Sequence, residues 1–170
     1  MEWIELSRSL SDVPRHPVLV LENGVELTSL ETWGDTLGHR RSIYELNKTC
    51  SADIPDRGTF FGFEEHQSLR FDAEVARPDG MVLAFNPHDS HHLTGLCQVT
   101  CPPDRERAFI EMTCVLAAYR RRGIANSMKR QALAVAAGWG CSTVRTLHHA
   151  QHAATVANRA LGLTEGQTSA

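Results

Sequence analysis

The stretch FIEMTCVLAAYRRRGIANSMKRQ, Phe109 to Gln131, decides how the rest of the chain is read. It opens as an apolar run rich in β-forming residues and passes a short turn at 117–119. Three arginines follow, Arg120, Arg121 and Arg122, then Gly123-Ile124-Ala125 and a helical pattern. A strand that runs into a helix with Gly and basic residues in its first turn is a way to hold phosphate. The N–H groups at a helix start point outward, and the dipole there favours anions by about 0.3–1 kcal/mol. Gly123 lets the backbone come close to a ligand, and arginines bring charge and forked donors. No Gly-Lys-Ser/Thr follows the glycine, so this is not a Walker loop; nor does it carry the three spaced glycines of a dinucleotide fingerprint. The competing reading is an Arg-rich helix start that is only solvated surface.

Outward from this stretch, the chain has the composition of a single soluble domain. It holds 170 residues, 42% hydrophobic and 22% charged, which is enough for a real core. A net charge of −3 with a pI near 6.3 argues against nucleic-acid binding. No apolar run approaches the roughly 18–20 residues of a membrane span, and Met1-Glu2-Trp3 does not begin a signal peptide. Five cysteines, an odd number without such a signal, read as reduced thiols in a cytoplasmic protein. Arginine far outnumbers lysine, which is confined to Lys48 and Lys129, and alanine is abundant. That bias points to a GC-rich bacterial source.

Extended candidates lie at 3–6 and 18–27, the second broken by Asn23-Gly24. Residues 32–50 read as one helix, weakened at its start by Gly34 and Gly38, and 64–75 as a second. Strands are expected at 81–85, 93–100 and 108–116, with hairpin tips at 86–92 and at Pro102-Pro103-Asp104. The pattern predicts a helix over 123–137, a strand over 143–147 and a last helix over 152–161. This order fits an α/β fold, a mixed central β-sheet with helices on both faces.

The central stretch resembles the GNAT acyl-CoA-dependent N-acetyltransferases. Arg120-x-x-Gly123-x-Ala125 matches their Gln/Arg-x-x-Gly-x-Gly/Ala signature, with Val115 and Tyr119 in place ahead of it and Ala117 where a proline is usual. Asn158-Arg159-Ala160-Leu161-Gly162-Leu163 is similar to the Asn-Arg-x-Leu-Gly-Phe ending of one branch. The resemblance covers 81–163 strongly and the earlier residues faintly. It implies a single domain, 1–170, with N-terminal strands over 1–30, acceptor-side helices over 31–78 and an acetyl-CoA-binding core over 81–163. Relatives usually add one or two strands after the last helix, whereas only 164–170 remain here. The N-terminal strands or a partner complete the sheet, or its late edge is open to a homodimer.

By the same resemblance, the strand before the signature splays at a bulge, and its backbone at Thr113, Cys114 and Val115 pairs with the pantetheine arm. Arg120, Arg121, Arg122, Gly123, Ile124, Ala125 and Asn126 surround the pyrophosphate, and a backbone N–H near Val115 meets the oxyanion. The implied reaction is attack of an amine on the acetyl thioester. The ammonium must lose a proton, the oxyanion needs a donor, and the leaving thiolate needs a proton. Glu111 is the expected base or ammonium anchor, with alternation placing it on the same side as Thr113; an exposed strand carboxylate is the plain alternative. Asn158 stands where many relatives carry a tyrosine. An amide cannot deliver a proton as a phenol does, so Asn158 is expected at the cofactor instead. Phe60, Phe61, Phe63, Glu64, Glu65 and Asp72 would line the acceptor site, a mixture suited to a cationic amine. The histidine clusters His88-x-x-His91-His92 and His148-His149-x-x-His152 lack zinc-site spacing, and Cys114 reads as core rather than nucleophile. No metal is expected.

The sequence thus points to transfer of acetyl from acetyl-CoA to a primary amine of a small molecule, an antibiotic or other natural product. The alternatives are a catalytically weak CoA-binding or regulatory domain, and an acyltransferase using another acyl-CoA.

Overall fold

The computed structural model describes residues 3–16, 21–22, 24–54, 57–104, 106–149 and 153–166. Residues 18–20 and 23 of the second extended candidate, Pro55, Asp56 and His152 lie outside them, as do the side chains of Ser90, His91 and Ala153. In chain order the elements are β1 (Trp3–Ser9), β2 (Leu21–Glu22), β3 (Val25–Ser29), α1 (Leu30–Trp33), α2 (Leu37–Ser51) and α3 (Phe63–Arg70). They continue with β4 (Met81–Asn86), β5 (Asp89–Thr100), β6 (Arg107–Val115), α4 (Ile124–Gly138), β7 (Thr143–His149), α5 (Ala153–Ala160) and β8 (Thr164–Glu165).

The eight strands of the described residues form one sheet, in the order β2-β3-β4-β5-β6-β7-β1-β8. Every pairing is antiparallel except that of β6 with β7. The late edge is completed from the other end of the chain. β1 pairs along its whole length with β7, from Trp3 opposite His149 to Ser9 opposite Thr143, and carries the short β8 on its far side.

The sheet is covered on both faces because its middle strands are apolar on both. Along β4, Val82 and Ala84 enter one cluster, beneath Ile124, Met128, Ala132 and Val135 of α4. Met81, Leu83 and Phe85 enter the other, with Ile43, Leu46 and Cys50 of α2. Strict alternation along a strand buried on both sides produces this division. The expected helix over 32–50 is two helices. Gly34 turns the chain at φ 103, a conformation suited to glycine. Thr36 then caps α2 through its Oγ1, which accepts from the His39 N–H at 3.1 Å. The second helix ends at Arg70 rather than 75.

Candidate active site

β6 changes phase in mid-strand. Ala108, Ile110 and Val115 lie in the cluster beneath α4, whereas Met112, Cys114 and Leu116 pack toward α2. The register supplies the reason: Gln98 pairs with Met112 and Val99 with Ile110, so Glu111 is an extra residue, a β-bulge. Its carboxylate goes to the α2–α3 side, where it accepts from Thr100 Oγ1 at 3.0 Å and from Arg70 Nη1 at 3.5 Å. Thr113 turns to the other side and meets Cys97 Sγ at 3.4 Å. Glu111 and Thr113 therefore face opposite sides of the sheet. Simple alternation fails here because the bulge falls at Glu111, not in the Thr113–Val115 segment.

The same point is where the parallel strands part. β6 and β7 pair from Arg107–Thr143 to Phe109–Arg145. Thr146 Oγ1 then donates to the Ile110 carbonyl at 3.1 Å, a side chain spanning the start of the gap. Farther on, the Leu116 N–H bonds the Thr94 carbonyl at 2.9 Å and sets the phase of the β5–β6 ladder. By antiparallel alternation, Met112 and Cys114 turn their peptide groups toward β5, and Thr113 and Val115 turn theirs toward the gap. The Val115 carbonyl accepts from Arg120 Nε at 2.8 Å.

At the end of β6, a 3-10 turn at Ala117–Tyr119 leads to the arginines. Arg121 has φ 62, the only non-glycine residue in the left-handed region among those described, and Gly123 follows at φ 78 as the N-cap of α4. A non-glycine residue held there costs about 1–2 kcal/mol. Strain of this kind concentrates where backbone N–H groups must be aimed. The three arginines are not equivalent. Arg120 is anchored inward, to Val115 and by an ion pair to Asp53 at 2.7 Å. Arg122 bonds the Ala118 carbonyl at 3.0 Å and lies over Tyr119. Tyr119 in turn accepts from Asn86 at 2.9 Å, so its hydroxyl belongs to the turn's packing. Ile124 is buried beneath the helix start, and Ala125 packs against the same core. Asn126 Oδ1, in that first turn, is buried without a hydrogen-bond partner among the described residues.

Asn158 is fully buried and engaged at both ends of its amide. Its Oδ1 accepts from Lys129 Nζ, and its Nδ2 bonds His148 Nε2. Thr146 Oγ1 is 3.3 Å from the same imidazole nitrogen. Asn158 therefore ties α5 to α4 and to β7. Lys129 is 2% exposed, and burial holds its ammonium below the usual lysine range. The one sign in the sequence of this bridge between α4, α5 and β7 is a lysine set in an apolar helix face.

On the α2–α3 side, the expected carboxylates are surface groups. Glu64 and Glu65 are exposed in the first turn of α3, and Asp72 is held by Arg40 at 2.7 Å. The aromatics already carry cations, Arg41 over Phe63 at 4.1 Å and Arg57 over Phe60 at 4.6 Å. His66 is buried among Tyr44, Phe60 and Phe71, and its Nε2 meets Asn47 Nδ2 at 2.9 Å. Burial, then the charges of Arg70 and Arg57, push its pKa down to about 4, so the ring is neutral. Cys114 is held as a thiol: the hydrogen bond that its S–H donates to the Cys50 sulfur, and burial, push its pKa well up, which disfavours a nucleophilic thiolate at this position. Among the described residues no cluster of three or more His, Cys, Asp or Glu side chains stands ready for a metal ion. No helix among them is long and apolar enough to cross a membrane.

A mixed sheet whose two parallel strands part ahead of a glycine-capped, arginine-rich helix start is the architecture of the GNAT acetyltransferases. Residues 40–162 match the acetyltransferase (GNAT) family, and the chain belongs to it. Its fold is similar to that of a GCN5-related N-acetyltransferase from Sphaerobacter thermophilus, with 20% identity and a TM-score of 0.76 over 96% of this chain and 48% of that one. It is also similar to the ribosomal-protein-S18-alanine N-acetyltransferase from Escherichia coli, with 13% identity and a TM-score of 0.61 over 82% of this chain and 77% of that one. A tandem GNAT protein from the clavulanic acid biosynthesis pathway matches with 16% identity and a TM-score of 0.62, over 96% of this chain and 50% of that one. The chain spans about half the length of the first and the last of these. No curated protein matches it.

Proposed function

We propose that the protein transfers acetyl from acetyl-CoA to a primary amine of a small molecule, by direct attack within a ternary complex. One observation carries this reading: the gap between β6 and β7 opens beside Glu111, with the Thr113 and Val115 peptide groups along it and the 121–125 turn at its end. In this reading the pantetheine arm lies along β6 as an added strand, hydrogen-bonded to Thr113 and Val115, with Cys114 supplying chain rather than chemistry. The pyrophosphate meets the backbone of Arg121 to Ala125 at the α4 N-terminus, with Asn126 beside it. Arg120 braces the turn from behind.

The amine approaches from the α2–α3 side, where Glu111 takes its proton or holds the ammonium until it is lost to water. The nitrogen then forms its bond to the acetyl carbon as the C–S bond breaks. The Val115 N–H faces the developing oxyanion, and the proton that nitrogen sheds as the amide forms passes through water to the departing thiolate. Release of free CoA thiol on adding amines to enzyme and acetyl-CoA, and an N-acetylated product, test the reading. Thiol release that does not depend on amine counts against it.

A second reading is favoured by Asn158. An amide locked between Lys129 and His148 offers the thiolate no acidic proton, which suits a CoA-binding domain with weak catalysis. That reading expects acetyl-CoA to bind with no turnover on any amine.

A further inference from the structure

The arginines of the α2–α3 side differ in how their charge is met. Arg40 holds Asp35 with Nε at 2.6 Å and Nη2 at 2.8 Å, and holds Asp72 with Nη1 at 2.7 Å. Arg57 and Arg70 have no such matching. The carboxylate paired with Arg70 is Glu111, at a loose 3.5 Å, and among the ion pairs of the described residues none involves Arg57.

The two guanidinium groups flank one aromatic cluster. Arg57 lies over Phe60 at 4.6 Å and near Phe61 at 5.9 Å. The Phe60 ring is 6.1 Å from that of His66, which is one helical turn from Arg70 on the same side of α3. Two donors within this group, Arg70 Nε–H and the His66 Nδ1 position, are buried without a hydrogen-bond partner among the described residues. Burial and the charge of Arg70 lower the Arg57 pKa, and His66 is kept neutral beside them. Two positive charges and one carboxylate thus meet where the β6–β7 gap opens, in a setting rich in donors and short of acceptors. A plain cationic amine would be repelled by the two guanidinium groups. An amine that carries its own anion would not.

We propose that the acceptor bears an oxyanion, a carboxylate or a phosphate, within a few bonds of its nucleophilic nitrogen. Arg57 and Arg70 hold that oxyanion while Glu111 faces the ammonium. Forked guanidinium donors suit either oxyanion, and the Glu111–Arg70 contact keeps the two ends of the acceptor close together. This inference rests on the acetyl-transfer reading for the reaction, but the anion site can be measured without it.

Matched probes test it. Thiol release from acetyl-CoA is compared for L-phenylalanine, its methyl ester and 2-phenylethylamine, and for phosphoethanolamine against ethanolamine. The same probes are then followed by thermal shift with CoA present and absent. The expected result is at least a tenfold higher kcat/KM, or a thermal shift seen only with the anionic member, in one or both sets. Preference in the first set identifies a carboxylate, and in the second a phosphate. Arg57→Gln should remove that preference and raise KM for the anionic probe tenfold or more. It should leave acetyl-CoA affinity within twofold and the circular dichroism spectrum unchanged; Arg57→Lys should restore part of the preference. Equal rates and shifts across both sets would overturn the inference, as would a preference that survives in Arg57→Gln and Arg70→Gln alike. Failure of acetyl-CoA to bind, with the anion-dependent shift intact, would instead overturn the acetyl-transfer reading.

Discussion

The two faces that meet at β6 are built from different material. Toward the gap and α4, the candidate site is mostly backbone: peptide groups of Thr113 and Val115, a left-handed residue at 121, and a helix start capped by Gly123. Toward α2 and α3 it is side chains, Glu111, Arg57, Arg70 and a neutral His66, gathered from a strand, a loop and a helix. A backbone site suits a ligand part that never changes, and a side-chain site suits specificity. The first depends on local conformation, so one residue can destroy it. The second is a charge balance and should be altered by degrees.

The sharpest way to break this contrast is at Gly123. Gly123→Asp places a carboxylate at a positive-φ position where the proposed pyrophosphate would sit. Calorimetry should show acetyl-CoA affinity lower by a factor of about 10² or more, a like-charge and steric effect together. Gly123→Ala, which adds only the conformational strain, should cost about 1–2 kcal/mol in stability or binding. If the two variants lose equally, charge at this turn is irrelevant and no pyrophosphate sits there.

Asn158 is the next largest effect, and it reads out as stability. Asn158→Ala leaves the Lys129 ammonium buried without its acceptor, a loss of about 2–4 kcal/mol in denaturant titration. Adding Lys129→Met should recover most of it, because the stranded charge is gone. A single variant as stable as the parent would mean that Asn158 reaches the cofactor instead.

Glu111→Gln probes the meeting point of the two faces. The variant should lose about 10²-fold in kcat while its affinity for acetyl-CoA stays the same. A loss confined to acetyl-CoA binding would move Glu111 to the cofactor side.

The mildest effect is His66. In the folded protein its pKa is about 4 against an ordinary 6.5, so between those values the unfolded chain binds the proton and the folded one does not. Its contribution is full above pH 6.5 and is lost as pH falls toward 4, at most about 2–3 kcal/mol. His66→Gln should flatten that part of the stability profile. An unchanged slope would assign it to other groups.

Much of the fold could be read in the sequence because its signals are local. The buried middle strands, the glycine before α4 and the turn at 117–119 each announce themselves within a few residues. Gly34 and Gly38 both show in the sequence as weak points at the start of the 32–50 helix. That the first ends a helix and the second does not depends on the backbone at Gly34 and the cap at Thr36. The phase change in β6 was hidden, because a bulge is a property of two strands in register and Glu111 looks like any alternating residue. That single extra residue is why Glu111 and Thr113 lie on opposite faces. Side-chain groupings such as Lys129–Asn158–His148 were hidden for the same reason: they join three elements, and their only sequence trace is a lysine in an apolar helix face. The arginines of the α2–α3 side were present in the sequence, but which of them lack carboxylates depends on tertiary contacts.

The proposed reaction depends on acetyl-CoA binding through the backbone of the β6 edge and the 121–125 turn. Calorimetric titration of the protein and of Gly123→Asp with acetyl-CoA, at two salt concentrations, tests it most directly. One site per chain, an affinity that weakens with salt, and loss of binding in the variant are expected. Binding of equal strength in both proteins, or none in the parent, would contradict it.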